Sequence, residues 1–134
     1  MEHTVSDDNF MRIAIEAAKK CTPEDERVHP KVGVVVVRPG NDPVISFRGQ
    51  ESAGEHAEYT ALERHLPNDT IVGATIYTTL EPCTSRKHPK VPCAERLIER
   101  KVARVVIGML DPNPVITGRG IRRLRAASPH FSHY

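Results

Sequence analysis

Four side chains in two short segments have the residue types and spacing of a catalytic metal site. His56 is followed two residues later by Glu58, and Cys83 is followed by Cys93 with nine residues between them. An imidazole and two thiolates are ligands that Zn²⁺ prefers, and three protein ligands leave the fourth tetrahedral position open. Side chains two residues apart on a helix point to different sides, so His56 and Glu58 would not both bind one ion. The pattern predicts Zn²⁺ held by His56, Cys83 and Cys93, with Glu58 as a separate carboxylate beside it.

The same four residues resemble those of the zinc deaminases that act on bases and nucleosides. In that family a histidine and two cysteines hold the metal, and a glutamate that is not a ligand moves the protons. Zinc lowers the pKa of its water towards about 7, so hydroxide is available at neutral pH to attack an aminopyrimidine or aminopurine. The resemblance implies that Glu58 takes the proton of the water and delivers it to the ring nitrogen and the leaving amine, with release of ammonia.

A second interpretation of the metal motif stays open. A closed structural zinc site needs a fourth ligand, for which Cys21 or His88 is available, and would make the chain a non-catalytic zinc-binding interaction domain. The three cysteines are an odd number, which argues against a disulfide framework and favours metal ligation for two of them. Cys21 is otherwise expected to be a small buried apolar residue.

Length and composition predict the domain organisation, location and partners of the chain. The 134 residues are expected to form one domain, 1–134, and 39% hydrophobic with 27% charged residues is ordinary for a soluble globular protein. No apolar run reaches membrane-spanning length, and the polar start of the chain lacks the pattern of a secretion signal, so a cytoplasmic location without membrane contact is expected. A formal net charge of +2 does not by itself indicate a nucleic-acid partner.

Periodicity and turn residues predict an α/β fold with a mixed central sheet. The first helix is expected to be capped by Ser6 and to bury Phe10, Ile13, Ala14 and Ala17. A strand, helix, strand unit favours parallel pairing of strands three and four. The predicted helices are Asp7–Lys20, His56–Leu66, Pro92–Arg100 and Ile121–Ala127. The predicted strands are Val32–Val37, Val44–Phe47, Ala74–Leu80 and Val102–Met109, with a fifth edge strand available from Pro129–Tyr134.

Over roughly Met11 to Ala127 the chain resembles the deaminase domain of the bacterial riboflavin-biosynthesis deaminase-reductase. The segments that carry the resemblance are Pro30–Gly33, Ala53–Glu58, Thr79–Cys83, Pro92–Ala94, Asp111–Pro114 and Gly118–Gly120. The resemblance implies a cytidine-deaminase-like three-layer α/β/α sandwich and a hydrolytic deaminase that uses zinc. It also implies self-association into dimers or tetramers. Because the chain ends where the reductase domain would begin, we expect a standalone deaminase.

Departures from that family concern substrate contacts. The family has Pro-Asn-Pro where this chain has Val28-His29-Pro30, so the sugar contact expected of that asparagine would fall to His29 or to no residue, in which case His29 is an exposed loop histidine. A basic loop between the two cysteines, with Arg86, Lys87 and His88, is expected to contact a substrate phosphate. Asn113 either lines the pocket or caps a turn.

We therefore expect a small nucleobase or nucleotide compound as substrate. Bases within single-stranded DNA or RNA are the alternative, weakened by the absence of tryptophan as a stacking surface. The arginines of the last predicted helix, Arg119, Arg122, Arg123 and Arg125, either form a solvated basic face or follow a phosphate backbone.

Overall fold

A computed structural model describes residues 5–24, 28–87, 89–127 and 130–133 of the chain. The helices are α1 (Val5–Ala18), α2 (Ala57–Tyr59), which continues as a π-helix (Thr60–His65), α3 (Cys93–Glu99) and α4 (Arg119–Ala126). The strands are β1 (Gly33–Val37), β2 (Val44–Phe47), β3 (Thr75–Thr78), β4 (Arg104–Ile107) and β5 (His130–His133). Every predicted element is thus present, and no end differs from its predicted position by more than two residues.

The five strands form one mixed sheet in the order β2-β1-β3-β4-β5. β1 pairs antiparallel with both β2 and β3, whereas β3 pairs parallel with β4, and β4 with β5. The predicted hairpin and the predicted parallel crossover are both confirmed. The valine run of β1 is an interior strand buried on both faces, because Val34 and Val36 enter one core while Val35 enters the other.

Helices cover both faces of the sheet, so the three-layer α/β/α arrangement is confirmed. On one face Met11 and Ala14 of α1 pack against Val35, Tyr77 and Val106. On the other face α2, the π-helix, α3 and α4 enclose the larger core. Gly33 sets the close approach of α1, since a Cβ atom there would lie 1.9 Å from the carbonyl oxygen of Ala14.

The rotation of α1 differs from the prediction. Met11 is fully buried and Ile13 is 36% exposed, and Ser6 lies within the helix and does not cap it. The reason is Asp7, which is buried and accepts hydrogen bonds from Tyr77 at 2.6 Å and from both terminal nitrogens of Arg104 at 2.7 and 2.8 Å. An ion pair 97 residues apart in sequence therefore turns the helix to a face that its own periodicity does not predict.

The second predicted helix forms at the predicted place but widens after one turn into the π-helix. Arg100 binds the end of this helix and the turn that follows it: its guanidinium donates to the carbonyl oxygens of Leu62, Leu66 and, beyond the helix, Asp69 at 2.9–3.1 Å. A cation at a helix C-terminus satisfies these groups and favours the negative end of the helix dipole. Among the described residues, no helix has both the length and the apolar character needed to cross a membrane.

Candidate active site

The three predicted zinc ligands meet where two helices begin and one strand ends. His56 directly precedes α2 with extended backbone angles, Cys93 is the first residue of α3, and Cys83 lies in the segment that follows β3. Nδ1 of His56 lies 3.4 Å from Sγ of Cys93 and 3.8 Å from Sγ of Cys83. The three ligand atoms all lie within 4.8 Å of one another, so one small ion can touch all three.

These separations fit tetrahedral zinc. Bond lengths of about 2.3 Å to sulfur and about 2.0 Å to nitrogen place neighbouring ligand atoms roughly 3.4–3.8 Å apart. The nitrogen–sulfur distances of 3.4 and 3.8 Å fall in that range. Among the described residues no fourth side chain joins the group. Cys21 is not a ligand, because its buried thiol donates instead to the carbonyl of Val32 at 3.6 Å, and His88 lies outside the described residues.

The two thiols differ in acidity because they share a proton. The pKa of Cys83 falls to about 4, since its sulfur accepts hydrogen bonds from the Cys93 thiol, from His56 and from the Cys93 backbone N–H, which lies 3.3 Å away. The pKa of Cys93 is raised well above its ordinary value because its thiol donates to Cys83 and is buried. The lowered pKa of Cys83 favours its thiolate, which is the form that binds a metal.

Glu58 lies beside this group without belonging to it. Its side chain is on α2, is 4% exposed and faces the same small cavity as His56 and Cys83. Burial raises the pKa of Glu58, and the nearby His56 only partly opposes that shift. A buried carboxyl with a raised pKa can both accept and donate a proton near neutral pH, as general acid–base chemistry requires.

The small cavity, here called the metal pocket, has a volume of about 120 Å³ and adjoins two larger spaces. An apolar groove of about 730 Å³ runs along α1 and shares Pro30, Leu80 and Asp111 with the metal pocket. A side cavity of about 240 Å³ shares Pro30 and Arg48 with it. The metal pocket can therefore hold the reacting part of a substrate while its substituents extend into a neighbouring space.

The structure brings together only part of the predicted substrate contacts. His29 lines the side cavity, and its Nδ1 accepts a hydrogen bond from Nη2 of Arg48 at 3.3 Å. Arg86 is half-buried and near enough to Cys93 to oppose the rise in the pKa of that thiol. Lys87 is exposed and lines none of the three spaces.

Asn113 takes the second of its two predicted roles. Its side-chain oxygen accepts the backbone N–H of Val115 at 3.0 Å, and the residue is exposed. It therefore stabilises its own turn and does not line the metal pocket.

Three polar residues of the metal pocket were not predicted from the sequence: Arg48, Glu81 and Asp111. The guanidinium of Arg48 is fixed by Glu24, with Nε to Oε1 at 3.0 Å and Nη2 to Oε2 at 3.4 Å. This pair joins residues 24 positions apart, so no local spacing indicates it. Glu81 and Asp111 lie in the segments Thr79–Cys83 and Asp111–Pro114, which carry the family resemblance. Membership in these segments was the sequence signal that could have indicated both residues.

The fold is an α/β/α sandwich, and its helix and strand ends hold a histidine–cysteine–cysteine zinc site beside a buried glutamate. This combination defines the class of zinc-dependent deaminases. The chain belongs to the cytidine and deoxycytidylate deaminase zinc-binding family, whose model matches residues 4–109. The predicted class, cofactor and fold are thereby confirmed.

Particular relatives share most of this chain. A riboflavin biosynthesis protein RibD from Aquifex aeolicus is 39% identical over 122 residues, which are 90% of this chain and 33% of the relative. A diaminohydroxyphosphoribosylamino-pyrimidine deaminase from Schizosaccharomyces pombe is 32% identical over 123 residues, 90% of this chain and 30% of that protein. The solved structure of a diaminohydroxyphosphoribosylaminopyrimidine deaminase/5-amino-6-(5-phosphoribosylamino)uracil reductase from Thermotoga maritima has a TM-score of 0.81 at 36% identity, covering 95% of this chain and 36% of that one. The chain thus spans about a third of the length of these relatives.

Proposed function

We propose that this chain hydrolytically deaminates a phosphoribosylated aminopyrimidine of the kind named for its relatives, diaminohydroxyphosphoribosylaminopyrimidine. The observation that carries the proposal is the placement of buried Glu58 in one pocket with His56 and Cys83, two of the three residues whose ligand atoms meet at zinc-binding distances. The names of the Schizosaccharomyces pombe and Thermotoga maritima relatives support the substrate.

The reaction replaces the exocyclic amino group of the ring by oxygen. Water adds to the ring carbon, the bond from that carbon to the amine breaks, and ammonia leaves. His56, Cys83 and Cys93 would hold the zinc, which activates the water as a nucleophile at neutral pH. No side chain supplies a covalent bond to the substrate in this scheme.

Glu58 moves the protons in this proposal. Its carboxylate takes a proton from the attacking water and passes it first to the ring nitrogen and then to the departing amine. The burial that raises the pKa of Glu58 supports this role, because a carboxyl that stays fully ionised at neutral pH would donate poorly. The metal pocket is also narrow, which keeps the carboxyl within reach of the reacting atoms.

The substituent of the ring extends past Arg48 into the side cavity. Arg48 uses Nε and Nη2 for Glu24 and Nη2 also for His29, which leaves Nη1 to meet a hydrogen-bond acceptor of the substrate. Lys31 lines the same cavity and adds a positive charge. The guanidinium of Arg48 and the imidazole of His29 suit the hydroxyl groups of a sugar, and the cation of Lys31 suits its phosphate.

An ammonia-release screen tests the proposal. The wild-type chain is incubated with bases, nucleosides, phosphoribosylated aminopyrimidines and single-stranded oligonucleotides, with zinc content measured on the same sample. Ammonia from the phosphoribosylated aminopyrimidine supports the proposal. Turnover confined to oligonucleotides, with binding that weakens steeply in salt, would replace it by the nucleic-acid alternative.

Cytoplasmic location, self-association and a single-domain chain are further parts of this proposal. Size-exclusion chromatography measures the self-association.

A further inference from the structure

Glu81 is a buried carboxylate between the zinc ligands and the segment that follows β4. Its side chain is 5% exposed, and its two oxygens accept three backbone N–H groups. Oε1 accepts from Asp111 at 2.7 Å and from Gly118 at 2.9 Å, and Oε2 accepts from Gly120 at 3.2 Å. All three donors belong to the segment 111–120, here called the wall loop, which leads from the end of β4 into α4.

The backbone conformation of the wall loop allows it to pack closely against Glu81 and Pro82. Gly118 has a φ of 82°, a left-handed conformation that favours glycine and that aims its N–H at the carboxylate. A Cβ atom at Gly120 would lie 2.3 Å from the carbonyl oxygen of Pro82, so the start of α4 rests directly on the chain next to Cys83. The backbone N–H of Glu81 in turn donates to the carbonyl of Met109 at 2.8 Å. Glu81 is therefore bound to the chain that follows β4 through its backbone as well as through its side chain.

Asp111 is the residue of the wall loop that reaches the cavities. It lines both the metal pocket and the apolar groove, at the point where these two spaces meet. Its Oδ1 accepts the backbone N–H of Asn113 at 2.9 Å, which fixes the orientation of the carboxylate. A fixed carboxylate in the wall of a pocket accepts hydrogen bonds from N–H or O–H groups of a ligand.

We propose that Glu81 is a positioning residue that acts through Asp111, holding that carboxylate where it accepts a hydrogen bond from an amino or hydroxyl group of the substrate. This inference rests on the proposed deaminase function and adds to it a specificity-determining contact. A carboxylate is required at position 81 because each of its oxygens faces N–H donors. In the E81Q variant the amide NH₂ would face at least one N–H group and lose that hydrogen bond.

A double-mutant cycle tests the inference through the single variants E81Q and D111N and the combination of both. KM for the substrate that the wild-type chain deaminates is expected to rise about tenfold in each single variant and no further in the double variant. The reason is that the same hydrogen bond, from the substrate to Asp111, is lost in all three. We expect kcat and zinc content to stay within about twofold of wild type. E95Q is the matched control, since Glu95 also holds α4, through Arg123, but lines none of the three cavities.

Other results would overturn the inference. A normal KM in D111N means that Asp111 does not contact substrate, additive effects mean that Glu81 does not act through it, and zinc loss in E81Q means that Glu81 supports the metal ligands instead.

Amide hydrogen exchange gives a readout that does not need turnover. The Asp111, Gly118 and Gly120 amides should exchange faster in E81Q than in wild type and E95Q, and unchanged exchange contradicts the positioning role. A wild-type chain that binds zinc but releases no ammonia refutes the proposed function and with it the substrate contact, whereas the exchange rates still decide whether Glu81 orders the wall loop.

Discussion

At the scale of single residues, the site places a buried carboxylate beside the metal ligands without including it among them. The zinc ligands are one histidine and two cysteines, whereas the carboxylate that lies beside them stands on α2 two residues after the histidine. A structural zinc site gives no reason for a buried carboxylate at this position, because burial disfavours the charged form of the acid. The position of Glu58 therefore supports its proposed role in catalysis.

We predict that the variant E58Q retains about one zinc per chain and loses activity. Glutamine keeps the shape of the side chain but cannot exchange protons, and the loss of a general acid–base group lowers kcat by about 10²–10⁴-fold. Ammonia release and metal analysis on the same preparation measure both quantities. C83S is the complementary variant and should lose the metal together with the activity. An E58Q protein that turned over at the wild-type rate would exclude Glu58 as the proton carrier.

Arg48 is predicted to affect substrate binding more than turnover. In the R48Q variant the charged donor in the wall of the metal pocket is lost, so KM should rise about tenfold or more, with kcat within a few-fold of wild type. R38Q is the matched control, because Arg38 is also an ion-paired arginine. Arg38 follows the C-terminal end of β1, whereas the pocket residue Val32 precedes its N-terminal end. Steady-state kinetics with the phosphoribosylated substrate and with its sugar-free base compare the two variants. Equal effects of R48Q on both substrates would show that Arg48 does not contact the substituent.

At the scale of elements, α1 is tied to the sheet by a buried polar cluster of Asp7, Tyr77 and Arg104. Tyr77 donates to Oδ1 of Asp7, and Arg104 binds both oxygens of the same carboxylate. Removing one member of a buried pair leaves an uncompensated charge, which costs far more than an exposed pair gains. The cluster therefore fixes how α1 lies over β3 and β4, and with it the floor of the apolar groove.

The cluster predicts a loss of stability at alkaline pH. Burial, and then the hydrogen bond to Asp7, raise the pKa of Tyr77 above its ordinary value of 10.0. The unfolded chain releases this proton near its ordinary pKa while the folded chain keeps it, so the stabilisation is complete below pH 10 and declines as the pH rises above it. Urea unfolding followed from pH 8 to 11 should show a decline that is smaller in Y77F, whereas Y59F should behave like wild type. An identical pH dependence in Y77F and wild type would assign the decline to other groups.

At the scale of the whole molecule, the sequence predicted what depends on local patterns. The strand Val32–Val37 and the crossover between strands three and four follow from composition and spacing, and the structure contains both. The spacing also predicts the metal ligands, and the ligand atoms of His56, Cys83 and Cys93 lie together. The pairs Arg48–Glu24 and Arg104–Asp7 join residues 24 and 97 positions apart. Contacts of this kind depend on the finished fold, so local patterns predict neither the rotation of α1 nor the place of Arg48 in the metal pocket.

The position of the zinc ligands gives the metal a role in folding as well. The ligands lie 27 and 10 positions apart along the chain, and the outer two are separated by 37. An ion that binds all three closes two loops at once, and because it binds the folded arrangement, its binding free energy adds to the free energy of unfolding. The metal therefore acts as a crosslink between the β2–α2 side of the molecule and the β3–α3–β4 unit. Its removal by a chelator should lower the melting temperature of the whole chain, so that the conformational stability of this protein follows the supply of zinc.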